Sequence, residues 1–322
     1  MTVRLFIVLS MLLNLLIFST TVYSAPYLYV TSYNTDQVLR YDGITGAYID
    51  VFASGGGIDE PYSLAFGSDG NLYVSSRATS EVMRYDGLTG TFIDVFVTAG
   101  SGGLSSAHGV AFGPDGNLYV VNRNNNSVLR YNGVTGEFIN VFTTGSSLNV
   151  PTSVVFGPDG NMYVCSAKSN SIHRFNGTTG AFMDIFAITG LTEPRIAIFG
   201  PDDNLYVGDI DKDRVYKYDG TTGSLIGTFA SGIDNPVGLT FGPDGNLYVA
   251  NRSTNQILRY NGITGAYMGV FASGGGLSEP LELIFYEYIP PIPSSPIPEP
   301  CTLVLLVAAL GGLFHRLRTN KA

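Results

Sequence analysis

The side chains best suited to bind a small molecule recur at two positions of the sequence. One position follows a repeated Tyr-Val segment, and the other opens an apolar segment that precedes each repeat. At or directly after these positions stand Tyr62, His108, Asn122, Arg123, Arg195, Asp209, Asn251 and Arg252. Guanidinium groups bind anions, whereas amide, imidazole and phenol groups hydrogen-bond to hydroxyls. The set predicts a site for a sugar or small anion. The alternative is a water-filled channel opening that is lined by polar side chains and binds no ligand.

Metal binding has weaker support. The segment Asp209-x-Asp211-x-Asp213 begins like an EF-hand loop, but it lacks the glycine at the sixth position and the closing glutamate. A solvated acidic loop is therefore expected. A calcium site built from Asp209, Asn122, Asn251 and one glutamate stays open, although only one of the six equivalent positions is acidic. We predict no metal ligands and no cofactor.

Acid–base catalysis is also weakly supported. His108 is the one histidine at a candidate site position, whereas His173 falls on a strand and is predicted to pack inside it. Cys165 ends a strand and has no predicted partner, so no disulfide framework is expected. No catalytic residue is assigned, and the sequence leaves open whether the protein is an enzyme.

The charge of the chain excludes one class of partner. Charged residues make up 13% of its 322 residues. Residues 25–300 hold 13 cations against 26 anions, a net charge of −13. A nucleic-acid partner is therefore not expected, because phosphate binding requires a basic surface.

Internal repeats position these side chains. The segment FG-[PS]-D-[GD]-N-[LM]-YV occurs five times, and a degenerate sixth copy opens at Tyr27. The aligned tyrosines are Tyr29, Tyr73, Tyr119, Tyr163, Tyr206 and Tyr248. Each unit fits four short strands, exemplified by residues 63–66, 72–75, 82–85 and 91–96. Asp-Gly between the first two strands is a strong hairpin signal. Six such units predict an all-β, six-bladed propeller of four-stranded antiparallel blades.

The strand count also predicts how the ring closes. The chain opens on the second strand of a blade, and an unmatched first strand appears at residues 281–285. One blade must therefore combine both ends of the domain in a circular seam, which removes free sheet edges. An open β-solenoid is the alternative, and the unmatched strand disfavours it.

The repeat resembles those of NHL-type and streptogramin-lyase-like propellers. The likeness is carried by residues such as 236–260 (PVGLTFGPDGNLYVANRSTNQILRY) and covers the chain from residue 26 to about residue 286. The resemblance implies a propeller scaffold whose relatives include ligand binders, protein binders, lyases and lactonases. Strand direction places the nearly invariant turns on one face and the variable loops, with all candidate binding residues, on the other.

The first 24 residues have the features of a secretory signal peptide. Arg4 precedes an apolar segment at residues 5–18, and a polar segment ends at Val22-Tyr23-Ser24. We therefore expect a signal helix, cleavage by signal peptidase and an exported protein that begins at Ala25.

The C-terminal part of the sequence has the features of a second targeting signal. Residues 289–300 contain six prolines, residues 301–314 are apolar, and Arg316 and Arg318 follow. With Pro298, Glu299 and Pro300, this order resembles the PEP-CTERM sorting signal of Gram-negative bacteria. The resemblance implies processing by an exosortase in an exopolysaccharide-producing cell. We divide the chain into a signal peptide (1–24), propeller (25–286), proline-rich linker (287–297) and sorting segment (298–322) whose helix is a membrane anchor before processing.

These features predict a propeller at the cell envelope or in the extracellular matrix. Its expected role is that of a binding or structural module, with exopolysaccharide or other surface proteins as partners. The alternative is a secreted, metal-dependent enzyme of the lactonase or lyase type. The ligand itself cannot be read from the repeats, since one fold supports many functions.

Overall fold

The computed structural model describes residues 26–143 and 147–287. The predicted signal helix and the whole sorting segment, with its membrane helix, lie outside these residues. Within the described ranges, no helix is long and apolar enough to span a membrane.

The described residues form six four-stranded antiparallel sheets, as predicted. Blade 1 contains β24 (Pro280–Tyr286), β1 (Tyr27–Ser32), β2 (Gln37–Asp42) and β3 (Tyr48–Ser54). Blade 2 contains β4 (Pro61–Phe66), β5 (Leu72–Ser76), β6 (Glu81–Tyr85) and β7 (Phe92–Val97). Blade 3 contains β8 (Ala107–Phe112), β9 (Leu118–Asn122), β10 (Ser127–Tyr131) and β11 (Phe138–Val141).

The remaining blades repeat this order. Blade 4 contains β12 (Pro151–Phe156), β13 (Met162–Ser166), β14 (Ser171–Phe175) and β15 (Phe182–Ala187). Blade 5 contains β16 (Pro194–Phe199), β17 (Leu205–Asp209), β18 (Arg214–Tyr218) and β19 (Leu225–Ser231). Blade 6 contains β20 (Pro236–Phe241), β21 (Leu247–Asn251), β22 (Gln256–Tyr260) and β23 (Tyr267–Ser273). Short 3-10 helices lie at Tyr33–Thr35, Ser101–Gly103, Arg123–Asn125, Ala167–Ser169 and Arg252–Thr254.

The predicted circular seam is confirmed. Strand β24 pairs antiparallel with β1, so that Leu28 lies opposite Phe285 and Tyr29 lies opposite Ile284. The innermost strands of neighbouring blades contact one another around the ring, and β24 lies between β20 and β4. The last strand of the domain, β24, is therefore the innermost strand of blade 1 and lies beside β1, the first strand.

Aromatic side chains hold neighbouring blades together. Tyr119 is fully buried, and its ring meets Phe142 and Phe156 edge to face at 4.8 and 5.0 Å between centroids. Its hydroxyl donates to Asp115 Oδ2 at 3.0 Å, within the Asp-Gly turn. Equivalent tyrosines in the other blades repeat the aromatic packing, which explains why this residue recurs in the motif.

The prediction that His173 packs inside its blade is confirmed, and Cys165 is buried as well. His173 is fully buried on β14 and its Nε2 lies 3.0 Å from Ser171 Oγ. Cys165 is buried on β13 as a free thiol, and burial raises its pKa to about 12. Neither side chain is available to a ligand in solution.

Candidate axial binding site

The variable loops surround a small cavity at one end of the propeller axis. Its volume is about 160 Å³. Nine residues line it: Tyr33, Tyr62, Arg77, His108, Arg123, Arg195, Val237, Arg252 and Leu281. Five of the eight predicted binding residues are among them. The structure adds Tyr33 and Arg77 to this set.

Three of the four arginines have acidic partners. Arg77 Nη1 lies 2.8 Å from Glu60 Oε2, and Arg252 Nε lies 3.1 Å from Glu279 Oε2. Arg195 pairs with Glu193, which also accepts a 2.7 Å hydrogen bond from Lys168 Nζ. These pairs fix the guanidinium groups in place at the rim of the cavity.

Arg123 differs from the other three arginines. Its guanidinium forms no ion pair or hydrogen bond with any residue in the described ranges, and its Nε is buried. Burial, reinforced by the nearby charge of Arg195, lowers the pKa of Arg123 below its usual value. A cation in this position is poorly compensated, so an incoming anion would relieve the repulsion.

Tyr33 lies between two arginines. The guanidinium carbons of Arg77 and Arg252 are 5.7 and 5.8 Å from its ring centroid, and its hydroxyl accepts a hydrogen bond from Arg77. Burial, with Glu60 nearby, raises the pKa of Tyr33 to about 12. The sequence analysis missed this residue, although it occupies the same place after its strand as Arg77 and Arg123 do after theirs.

His108 lies deep in the cavity wall. It is 2% exposed, and its ring packs on Tyr62 with 4.0 Å between the centroids. Its Nδ1 is 3.2 Å from the backbone oxygen of Ser106. Burial, with the adjacent Arg123 charge, lowers the pKa of His108 to about 3. The imidazole is therefore neutral at physiological pH.

The other three predicted binding residues do not line the cavity. Asn122, Asp209 and Asn251 are buried and their side-chain oxygens accept hydrogen bonds from the backbone N–H groups of Ser105, Thr192 and Asp234. The N–H···O distances are 2.9, 2.6 and 2.9 Å respectively. In the structure these side chains hold the loops that lead into the innermost strands.

A second cavity, of about 330 Å³, lies along the innermost strands and includes Glu282. Burial raises the pKa of the Glu282 carboxyl to about 8. This group is therefore mostly protonated at neutral pH and does not offset the positive charge at the axial cavity.

The residues at the axial cavity do not fit a divalent cation. Its nearest carboxylates, Glu60, Glu193 and Glu279, each pair with an arginine, and His108 lies beside the unpaired Arg123. Nowhere in residues 26–143 and 147–287 do three histidine, cysteine or acidic side chains converge in a way that could hold a metal. A metal-dependent mechanism at this cavity finds no ligand set.

A six-bladed propeller with an asymmetric polar cavity on its axis is the class of protein that this geometry defines. The chain belongs to the virginiamycin B lyase family, whose family model matches residues 48–267. No curated protein matches the chain.

Solved structures with similar folds have diverse roles. A protein of unknown function from Bacteroides caccae aligns at 14% identity over 82% of this chain and 100% of that chain, with a TM-score of 0.66. A chain of the nidogen/laminin complex aligns at 17% identity over 80% and 97%, with a TM-score of 0.68. Catalytically inactive virginiamycin B lyase from Staphylococcus aureus with quinupristin aligns at 16% identity over 83% and 93%, with a TM-score of 0.60. These likenesses concern the fold alone.

Proposed function

We propose that this protein is an exported propeller that binds an acidic glycan at its axial cavity, as a binding or structural module of the cell envelope or extracellular matrix. The supporting observation is the local reversal of charge. Four arginines line the cavity, Arg77, Arg123, Arg195 and Arg252, and the ion pairs of three of them use Glu60, Glu193 and Glu279. Residues 25–300, by contrast, carry a net charge of −13.

A cationic recess in an acidic domain selects ligands by charge. The acidic remainder of the surface repels extended polyanions, whereas a single anionic group can reach the arginines at the axis. The terminal acidic sugar of an exopolysaccharide presents such a group, and a single acidic side chain of a surface protein is the other partner class that fits. Nucleic acid does not fit, because its phosphates would lie against the acidic surface.

The sequence features at the two ends support the proposed export to the cell surface. An apolar segment after Arg4 suits signal peptidase, and Pro298-Glu299-Pro300 before an apolar segment and two arginines suits an exosortase. Intact-mass measurement of protein recovered from the cell surface tests this proposal. We expect an N-terminus at Ala25 and a C-terminal cut that depends on Pro298-Glu299-Pro300. Retained residues 1–24, or an intact tail in an exosortase-positive host, would contradict it.

Membership of the lyase family makes a lyase the second candidate. Such an enzyme needs a general base whose pKa lies near the working pH. His108 is the histidine that lines the cavity, and its pKa of about 3 makes it a weak base. The geometry therefore favours binding over catalysis, and turnover of lactone substrates by the purified protein would reverse that preference.

The binding proposal is tested by changing one arginine at a time. Arg123→Ala should weaken binding of an acidic oligosaccharide by about 1–3 kcal/mol, the range for a lost hydrogen bond to a charged group. Its control is Arg214→Ala, which removes the same charge from β18, outside the residues that line the cavity. Isothermal titration measures the affinity of the unmodified protein and of both variants for oligogalacturonate and for a neutral oligosaccharide of the same length. Equal affinity in all three proteins, or equal affinity for the two oligosaccharides, would refute the proposal.

A further inference from the structure

Two contacts of His108 with Ser106 favour one tautomer of the imidazole. Nδ1 lies 3.2 Å from the backbone oxygen of Ser106, which can only accept, and 3.4 Å from its Oγ, which can donate or accept, so a proton on Nδ1 satisfies both contacts. The neutral ring then has its lone pair on Nε2. This nitrogen forms no hydrogen bond with the described residues, although the side chain lines the cavity.

A neutral acceptor beside the unpaired Arg123 places two demands on a ligand. One group of the ligand must be anionic to bind Arg123 and its neighbour Arg195. Another must donate a hydrogen bond to Nε2, and it must be uncharged, because an ammonium would be repelled by the arginines. A hydroxyl close to a carboxylate meets both demands.

The volume of the cavity limits the size of this ligand. About 160 Å³ accommodates roughly five water molecules at their share of liquid volume, of about 30 Å³ each. This space suits one sugar ring, and we take that ring to be a free monomer or the terminal residue of a chain.

We infer that the axial cavity binds one sugar-acid residue, with its carboxylate on Arg123 and Arg195 and a neighbouring hydroxyl donating to Nε2 of His108. This inference rests on the proposed function and narrows it to a substrate class. The neutral state of the imidazole makes it a specific acceptor for a hydroxyl rather than a further anion-binding group.

The test compares ligands that differ in one feature. Galacturonate should bind more tightly than glucose, which lacks the carboxylate, and than cyclohexanecarboxylate, which lacks the hydroxyls. His108→Phe keeps a ring against Tyr62 and removes the acceptor, so it should weaken galacturonate about threefold to tenfold. Its affinity for cyclohexanecarboxylate should not change. Melting temperature and circular dichroism check that the variant folds.

A pH profile of the unmodified protein gives an independent readout. If His108 is a neutral acceptor, galacturonate affinity stays level between about pH 8 and pH 5, because the pKa of the imidazole lies well below this range. An affinity that rises as the pH falls through about 6.5 would show a protonated histidine and overturn the inference.

The two proposals fail in different ways. If no acidic ligand binds, the proposed function is wrong. If galacturonate and cyclohexanecarboxylate bind equally well and His108→Phe affects neither, acidic recognition stands and the role of His108 is wrong. A long oligogalacturonate should lose affinity when its ends are blocked. Equal affinity for the blocked and unblocked chains would show binding through internal residues and would refute terminal recognition.

A separate observation concerns the opposite face, where the third and fourth strands of each blade are joined by an Asx-Gly-x-Thr-Gly turn. In blade 1, Asp42 Oδ1 accepts hydrogen bonds from the backbone N–H groups of Ile44 and Thr45 at 3.0 and 2.7 Å. Because the Asx side chain organises the turn, the side chain at position x is left to project from it.

This projecting residue is apolar in four adjacent blades. Ile263 of blade 6, Ile44 of blade 1, Leu88 of blade 2 and Val134 of blade 3 are 88%, 66%, 55% and 81% exposed. Blades 4 and 5 carry Thr178 and Thr221 at the same position, and both are exposed. One side of this face therefore presents an arc of apolar tips, and the other side does not.

Both ends of the described domain lie within the arc. The Pro26 oxygen accepts a 3.0 Å hydrogen bond from Gly43, in the turn that carries Ile44, and Tyr27 pairs with Tyr286 at the end of β24. The chain continues from Tyr286 for 36 more residues, of which 301–314 are apolar. The arc thus surrounds the point at which the chain leaves the propeller toward the segment that contains these apolar residues.

We propose that the arc formed by Ile263, Ile44, Leu88 and Val134 contacts a lipid bilayer while the sorting segment is still attached. The aspartates of the turns, such as Asp42 and Asp86, would repel anionic headgroups, so a zwitterionic surface is the expected occupant. The axial cavity would then open away from the membrane, because it lies on the opposite face.

The absence of tryptophan from the chain allows a direct test. Single variants Ile263→Trp, Val134→Trp, Thr178→Trp and Thr221→Trp are made in the full-length protein and reconstituted in phosphatidylcholine vesicles. Lipids brominated near the headgroup should quench the first two at least about twofold more than the two matched controls, because tryptophan favours the membrane interface.

Equal quenching at all four positions, or none at any, would refute the membrane contact. A blue shift of the Ile263→Trp emission that grows with protein concentration in the absence of lipid would assign the arc to a second copy of the chain instead.

Discussion

Asn122 and Arg123 are neighbours in sequence and should respond oppositely to substitution. Asn122 is 1% exposed, its Oδ1 accepts from Ser105 N at 2.9 Å, and its Nδ2 donates to the Gly103 oxygen at 3.0 Å. Asn122→Ala removes both hydrogen bonds and leaves two backbone groups without these partners. At about 0.5–1.5 kcal/mol for each bond, we expect a loss of about 2 kcal/mol in the free energy of unfolding.

The assay is thermal unfolding with a parallel binding titration. In a domain of this size, about 2 kcal/mol corresponds to a melting temperature lowered by about 4–8 °C. Asn124→Ala is the matched control, because that exposed side chain donates one 3.1 Å hydrogen bond to Ser105 Oγ and should shift the melting temperature little. Binding of galacturonate by folded Asn122→Ala should change little.

The reverse result would refute this reasoning. If Asn122→Ala keeps its melting temperature but no longer binds the acidic ligand, Asn122 is a binding residue, as the sequence alone predicted. The hydrogen bonds to Ser105 and Gly103 would then contribute nothing measurable to stability.

Three further predictions concern the scaffold. Truncation after Gly276 removes β24 and exposes β1, so light scattering should show aggregation, whereas truncation after Glu287 should leave a monomer. Gly116→Val should lower the melting temperature by the equivalent of about 1–2 kcal/mol without affecting binding, because φ is +75° there although a Cβ would meet no atom within 4 Å; an unchanged melting temperature would contradict this. Burial raises the pKa of Glu282 from 4.5 to about 8, so stability should fall as the pH rises through this interval, and Glu282→Gln should abolish that dependence in melting curves; the same dependence in both proteins would assign it to another group.

The fold could be predicted because each strand type occurs a countable number of times. Five complete repeats gave the four-strand unit, and the unmatched strand at 281–285 could pair only with the segment at Tyr27–Ser32. The turn residues gave the chain reversals, since Asp-Gly at Gly116 or Gly160 provides the positive φ that a tight hairpin needs. The turn residues and the strand count therefore indicated the same closed six-bladed ring.

The role of the residue that ends each second strand could not be predicted with the same success. Polar character suggested a binding site, but the structure assigns the position to the loops in all six blades. Each side-chain oxygen accepts a backbone N–H from the loop that leads into the innermost strand of the same blade: Ser32 from Ser278, Ser76 from Asp59, Asn122 from Ser105, Ser166 from Asn149, Asp209 from Thr192 and Asn251 from Asp234. What these six residues share is an acceptor oxygen, and that shared ability was the signal of a structural role.

The next position along the chain has the opposite property. Its backbone N–H donates to a loop oxygen in each of the six described blades, at 3.2–3.4 Å, for example from Arg123 to Ser106 and from Ala167 to Val150. The backbone alone carries this contact, so the side chain is free to differ between blades: Tyr33, Arg77, Arg123, Ala167, Ile210 and Arg252.

A ring of equivalent blades can build an asymmetric site at such a position without altering the scaffold. Substitution of Arg123 should therefore change what the cavity binds and leave the melting temperature nearly unchanged. Because the preceding residue holds the loop and this one faces the axis, stability and specificity are divided between adjacent residues of the same repeat. The one unpaired guanidinium of the cavity stands where the backbone is held independently of its side chain, which is where a binding group can be accommodated at least cost to the fold.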